Sequence, residues 1–230
     1  MLVLTRDRRK NSAGLPDQGQ RAPFYRGGRA DRGTGGGKSV FHARAQPEKP
    51  KTLLLPPKSN SNTRVIAYLK SRGIDGGLIE QCIRSGQLYE SLPYHNAVFV
   101  GMDRNGTPRY ACLRGIGTDF KGEATGSDKR FSFALPATGE SRMLCVFESA
   151  IDLLSYATMA QAGGLSWRSQ HLLSLAGVYK PQKETQEHRL PLALTQYLKD
   201  HAEIKTICLC LDNDMTGRSA TDPTAVGRAL

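Results

Sequence analysis

The stretch MLCVFESAIDLL, residues 143–154, decides the fold. Its first five residues are an uninterrupted apolar run of strand length, the pattern of a strand covered on both faces. Glu148 follows at once, and Ala150, Leu153, Leu154 and Ala157 then recur at helical spacing, so the run reads strand, acid, helix. Downstream, HLLSLAG at 171–177 is a second short strand ending in Gly177. Pro191 starts a helix on which Leu190, Leu194, Tyr197 and Leu198 share a face, and TICLCL at 206–211 is a third buried strand that runs into Asp212-Asn213-Asp214. Such repetition predicts an α/β fold: a mostly parallel sheet flanked by helices, with its ligand site beyond the carboxyl ends of the strands.

That rule brings Glu148, Asp212 and Asp214 to one edge although they are far apart in sequence. Like charges gathered this closely repel, and carboxylate oxygens are hard ligands, so the cluster implies Mg²⁺ or Mn²⁺. Asp152, one helical turn after Glu148, is placed to point back to the same edge; a solvated helix-face acid is its plain alternative. Arg218 falls near the start of a last helix, where phosphate contact and simple solvation are equally compatible with its position.

Upstream, Asn62 or Thr63 can cap a helix bearing Val65, Ile66 and Leu69, with Gly73 as its stop. Asp75 caps a second helix carrying Leu78, Ile79, Cys82 and Ile83, which ends at Gly86. AVFVGMD, the turn Asn105-Gly106 and PRYACLR then form a β-hairpin signal closing at Arg114. Lys129 and Arg130 stand just before an alternating Phe131, Phe133, Leu135 strand, a cationic entry suited to phosphate or to a solvated edge.

The chain has 230 residues, and its formal net charge is +11. Residues 1–50 hold 11 Lys/Arg against 4 Asp/Glu, leaving 21 against 17 for the rest, so most of the excess lies outside the expected core. This segment also carries 8 of the 24 glycines and few periodic apolar positions, which predicts disorder. Its basic character suits nucleic acid or plain solvation. GTGGGKS at 33–39 is not a phosphate loop, because Arg32 stands where the first glycine is needed and no strand precedes it. PEKPKTLLLPPKSNSN at 47–62 reads as a linker. The division expected is a basic tail and linker over 1–61, a small α+β subdomain over 62–140 and the α/β domain over 141–230.

The five cysteines, with no CxxC pair, are expected to be free and buried, and the five scattered histidines give no zinc pattern, so no zinc is expected. No apolar run is long enough for a membrane helix and the opening residues are wrongly ordered for a signal peptide, so the expected location is cytoplasmic, without a membrane partner.

The ordered set of strand plus Glu, strand plus Gly, and strand plus DxDxxG resembles the Toprim domain of bacterial-type primases, topoisomerases and some nucleases and recombination proteins. CVFESAIDLL matches its strand-Glu-helix motif and LCLDNDMTGRSA its DxD motif. The resemblance implies Glu148 as an acid/base or metal-linked residue and Asp212 and Asp214 as Mg²⁺ ligands, with Asp152 matching an acid of the primase branch. YLKSRGID, NAVFVGMDRNGTPRYACLRG and GSDKRFSFAL resemble the primase-type half ahead of Toprim, and most closely an uncharacterised domain fused to Toprim in mobile-element proteins.

Over roughly residues 62–220 this implies primase-like nucleotidyl transfer on a DNA template, with Arg114, Lys129 and Arg130 lining a groove for template or nucleotide phosphates. Implied partners are single-stranded DNA, nucleoside triphosphates and a helicase or other replication protein. Toprim nuclease or topoisomerase chemistry and an inactive DNA-binding accessory role are the alternatives. Residues 1–50 lack the zinc-ribbon-like module of relatives, and a sequence ending at Leu230 is expected to lack the last strand of a full Toprim domain.

Overall fold

The computed structural model describes residues 2–5, 52–175 and 190–211. Two sheets and four helices make up this region. The helical pair comes first, with α1 over Thr63–Ser71 and α2 over Gly76–Arg84. As the capping signal predicts, Asp75 Oδ1 accepts from Leu78 N at 2.9 Å, satisfying one of the amides that a helix start leaves open.

α1 starts differently. Asn62 is its N-cap residue but makes no side-chain cap; its Oδ1 accepts instead from Glu90 N at 2.8 Å. The cap comes from 26 residues away, where the buried Glu90 carboxylate accepts from Arg64 N at 3.0 Å and Val65 N at 3.4 Å.

Strands β2 (Leu88–Glu90), β3 (Ala97–Met102), β4 (Pro108–Arg114) and β5 (Lys121–Glu123) form an antiparallel sheet in chain order. The β3–β4 turn is the one expected: Gly106 has φ +74, and Asp103 Oδ1 accepts from Asn105 N and Thr107 N. One face of the sheet, with Leu88, Ala97 and Phe99, packs on α1 and α2. Leu53 covers the other face beside Tyr89, Val98 and Val100.

Residues 52–61, expected as linker, are therefore tied down. Leu54 N donates to Thr125 O, Ser59 N to Glu90 O and Tyr89 Oη to Pro56 O. Composition marks this segment as polar and Pro-rich, but its extended backbone pairs with the sheet's exposed groups.

The second sheet contains β1 (Leu2–Thr5), β6 (Ala134–Leu135), β7 (Met143–Phe147), β8 (His171–Ser174) and β9 (Thr206–Cys210), in the order β1-β9-β7-β8-β6. Its core is parallel, with β7 between β8 and β9; both edges are antiparallel. The edge strand β1 is Leu2–Thr5, paired with β9 from Leu2↔Leu209 to Thr5↔Thr206, although those residues belong to the segment expected as a disordered tail.

At the other edge the alternating Phe131–Leu135 run yields only two strand residues. Asp128 turns the chain before it, accepting from Arg130 N at 3.0 Å while Phe131 N donates to Asp128 O. Phe133 is nonetheless fully buried and meets Phe99 edge-on, with ring centroids 5.6 Å apart.

Strand pleating sorts the parallel core onto two helices. Cys145, Phe147, Leu172 and Cys208 face α3 (Ala150–Ala162), whose expected stripe of Ala150, Leu153, Leu154 and Ala157 is buried throughout. Leu144, Val146, Leu173, Ile207 and Leu209 face the opposite way, toward Leu194 and Leu198 of α4 (Leu192–Asp200). The α3-side cluster also contains Val65, Leu78 and Phe99, so one continuous apolar core joins the parallel sheet to the helical pair and the antiparallel sheet.

The close approach of the sheets is visible at Gly101, where an added Cβ would lie 2.7 Å from the Ser132 carbonyl carbon. All five cysteines are free, three of them buried. Among the described residues, no helix is long and apolar enough to cross a membrane.

Candidate active site

The three parallel strands end level with one another: Phe147 pairs with Ser174 on one side and Cys210 on the other. Glu148 is the next residue after Phe147, so it emerges at the carboxyl edge at which such sheets bind ligands. It is half-buried and lines a cleft of about 540 Å³.

The floor of the cleft is built by the turn from β7 into α3. Ser149 is the N-cap, and its hydroxyl accepts from Asp152 N at 3.3 Å. Asp152 Oδ2 accepts in return from Ser149 N at 3.2 Å and from Ser149 Oγ at 2.7 Å, completing a capping box. Asp152 thus lines the same cleft as Glu148 while fixing the helix start that orients it. Ser174, at the end of β8, closes the base; its hydroxyl donates to Phe133 O at 2.9 Å.

The facing wall comes from the antiparallel subdomain. Arg114 at the end of β4 pairs in register with Lys121 of β5, and both line the cleft together with Arg72, the C-cap of α1. Glu123, also in the wall, accepts from Tyr110 Oη at 3.0 Å and lies 3.0 Å from Lys129 Nζ. Burial, reinforced by Cys112 and Glu123, pushes the Tyr110 hydroxyl well above its usual pKa, so it stays a protonated donor. A wall with three cations opposite a floor with two acids suits a ligand that carries phosphate and a cation together.

The sequence-derived residues divide accordingly. Glu148, Asp152 and Arg114 meet in the cleft. Lys129 does not line it but pairs with Glu123, which does. Arg130 borders a separate pocket of about 350 Å³ and is held by Asp128, with Nη2 2.6 Å from Oδ2. Its guanidinium, through those hydrogen bonds, holds the Asp128 carboxyl below the usual range. Asp212, Asp214, Arg218 and Gly177 lie outside the described residues.

Arg72 and Lys121 were not expected in the site. Lys121 could have been found only through the β4–β5 register, and Arg72 only from the packing of α1. Two further groups of potential metal ligands occur among the described residues: Cys145, Cys208 and Cys210, and His171, His201 and Glu203.

Solved structures to which the chain is similar include the primase fragment of the bacteriophage T7 primase-helicase protein, at TM-score 0.45 and 20% identity over 70% of this chain and 58% of that one. The DnaG catalytic core is similar at TM-score 0.46 and 15% identity, over 74% of this chain and 60% of that one. The chain therefore spans less than two thirds of either structure. No curated protein matches it. Residues 67–139 match the family described as a protein of unknown function, DUF3991, and residues 145–226 match the Toprim-like family. With strand, Glu148 and capped helix in place inside the second match, the chain carries a Toprim-like domain directly preceded by a DUF3991 domain.

Proposed function

We propose that this cleft performs primase-like, Mg²⁺-dependent nucleotidyl transfer on a single-stranded DNA template, in the cytoplasm, during replication or mobilisation of a mobile element. The observation that carries the reading is the opposition of Glu148, at the end of a central parallel strand, to Arg72, Arg114 and Lys121 across one cleft. The oxygen-only acids on its floor fit a hard cation, and the Toprim resemblance adds Asp212 and Asp214 as the principal ligands. A bound Mg²⁺ would supply charge neutralisation at the triphosphate.

In this proposal the chain's own groups position the reactants. Arg114, Lys121 and Arg72 hold phosphate oxygens of template or nucleotide. Glu148 takes the proton of the primer 3′-hydroxyl, or helps to hold the ion beside it, as the oxygen attacks the α-phosphorus and pyrophosphate leaves. Asp152 acts through the capping box, keeping the Glu148 turn rigid. A helicase or another replication protein would deliver the template strand.

The test is primer synthesis on single-stranded DNA with Mg²⁺ and nucleoside triphosphates, comparing the natural chain with Glu148→Gln. The expected result is product that falls by about 10² or more in the variant, on the scale of a lost general base, at an unchanged melting temperature. Nicking of DNA without nucleotides would replace this reading with a nuclease. Metal-independent DNA binding with neither activity would replace it with an accessory role.

A further inference from the structure

At the opposite end of the parallel strands His171 opens β8, directly beside Leu144 of β7. The residue is 3% exposed, and its Nε2 is buried without a hydrogen-bond partner among the described residues. A buried polar atom left in that state is costly and calls for an explanation.

Two side chains from the end of α4 approach it. His201 is the C-cap of that helix, and Glu203 lies in the turn leading to β9. Glu203 Oε1 is 3.1 Å from His201 Nδ1 and 3.8 Å from His171 Nε2, and one donor atom from each of the three residues falls within 4.8 Å of the others. Metal–ligand bonds of about 2.0–2.1 Å in tetrahedral geometry place neighbouring donors about 3.4 Å apart. The two Glu203 separations bracket that value. The His171–His201 separation can close by rotation of His201, whose side chain is 21% exposed.

We propose that His171 Nε2, His201 and the Glu203 carboxylate bind a zinc-class divalent cation at the amino-terminal end of the parallel strands. Two imidazoles and one carboxylate form a borderline donor set, which selects zinc, cobalt or nickel over magnesium and sets this site apart from the carboxylates on the cleft floor. Ligation through Nε2 puts the ring proton on Nδ1, where Tyr197 Oη stands 3.1 Å away to accept it; the 3.4 Å approach of Ala137 N to Nδ1 then relaxes. Tyr197 is thus a positioning residue, and its ring packs against His201 with centroids 4.4 Å apart. The ion would pin the end of α4 and the turn after it to the start of β8. Three protein ligands leave one coordination position for water.

The decisive measurement is Co²⁺ titration of the full chain in excess Mg²⁺, which occupies oxygen-only sites, followed by visible absorption and thermal melting. One Co²⁺ should bind with a spectrum free of thiolate charge transfer and raise the melting temperature. Glu203→Gln and His201→Ala should each weaken binding at least tenfold, and Cys208→Ser should leave it unchanged. Glu203→Gln keeps the size of an exposed side chain, so it reports ligation separately from folding. Absence of Co²⁺ binding, a thiolate band that places the ion at Cys145, Cys208 and Cys210, or unchanged affinity in Glu203→Gln would overturn the proposal.

Discussion

Replacing Glu90 by alanine should destabilise the protein far more than its place in a three-residue strand suggests. Glu90 is 2% exposed, and its carboxylate accepts from the second and third amides of α1, at 3.0 and 3.4 Å, while its other oxygen contacts His95 Nδ1. Losing a charged acceptor that serves a buried group costs roughly 1.5–3 kcal/mol. Losing a helix cap costs roughly a further 1 kcal/mol. The sum is about 3 kcal/mol. For a body of this size each kcal/mol lowers the melting temperature by about 2–4 °C, giving an expected drop of about 6–12 °C. Glu90→Gln keeps an acceptor oxygen without the charge and should lose about half as much. Circular dichroism melts of the three proteins, with calorimetry on the natural chain, provide the numbers. A Glu90→Ala melt within about 2 °C of the natural protein would refute the idea that a distant carboxylate holds the start of α1. The effect should also reach the cleft, because α1 ends at Arg72, one of its three cations.

Arg114→Ala should reduce the dependence of single-stranded DNA binding on salt: loss of one phosphate contact lowers the slope of log K against log[salt] by about 0.7, measurable by fluorescence anisotropy at several salt concentrations. Acid should weaken the turn at Asp128. Its folded-state pKa is depressed by Arg130, so the stabilisation is complete above the ordinary carboxylate pKa and lost as pH falls through the lower folded value. Carboxyl NMR titration of the natural chain and of Arg130→Gln should show Asp128 moving back toward its usual range in the variant.

Much of the fold was legible because its signals are local. Asp75 and Gly86 bracket α2, Asn105-Gly106 turns the β3–β4 hairpin, and the acid after MLCVF emerges at a strand end with a capped helix behind it. What escaped depends on distant partners. The cap of α1 comes from Glu90, across the chain from the Asn62 that local rules favour. Lys129 and Arg130 carry the charge expected of a phosphate groove, yet Glu123 and Asp128 engage them, and the cations that line the Glu148 cleft are Arg72, Arg114 and Lys121. No spacing rule joins His171 to His201 and Glu203, since a helix and a strand connection separate them. The four residues Leu2–Thr5, too short a run to carry a period, likewise give no sign of their partner strand about 200 positions later.

That last pairing governs how the basic segment can be studied. Removing residues 1–50 as a block would strip β1 from β9 and bare the edge amides and carbonyls of the strand that leads into Asp212 and Asp214. An exposed edge of this kind recruits other chains, so lost DNA binding in such a deletion would confuse self-association with the loss of positive charge. Replacing the lysines and arginines among residues 7–50 with neutral polar residues, with Leu2–Thr5 kept, leaves the edge covered and makes charge the quantity that changes.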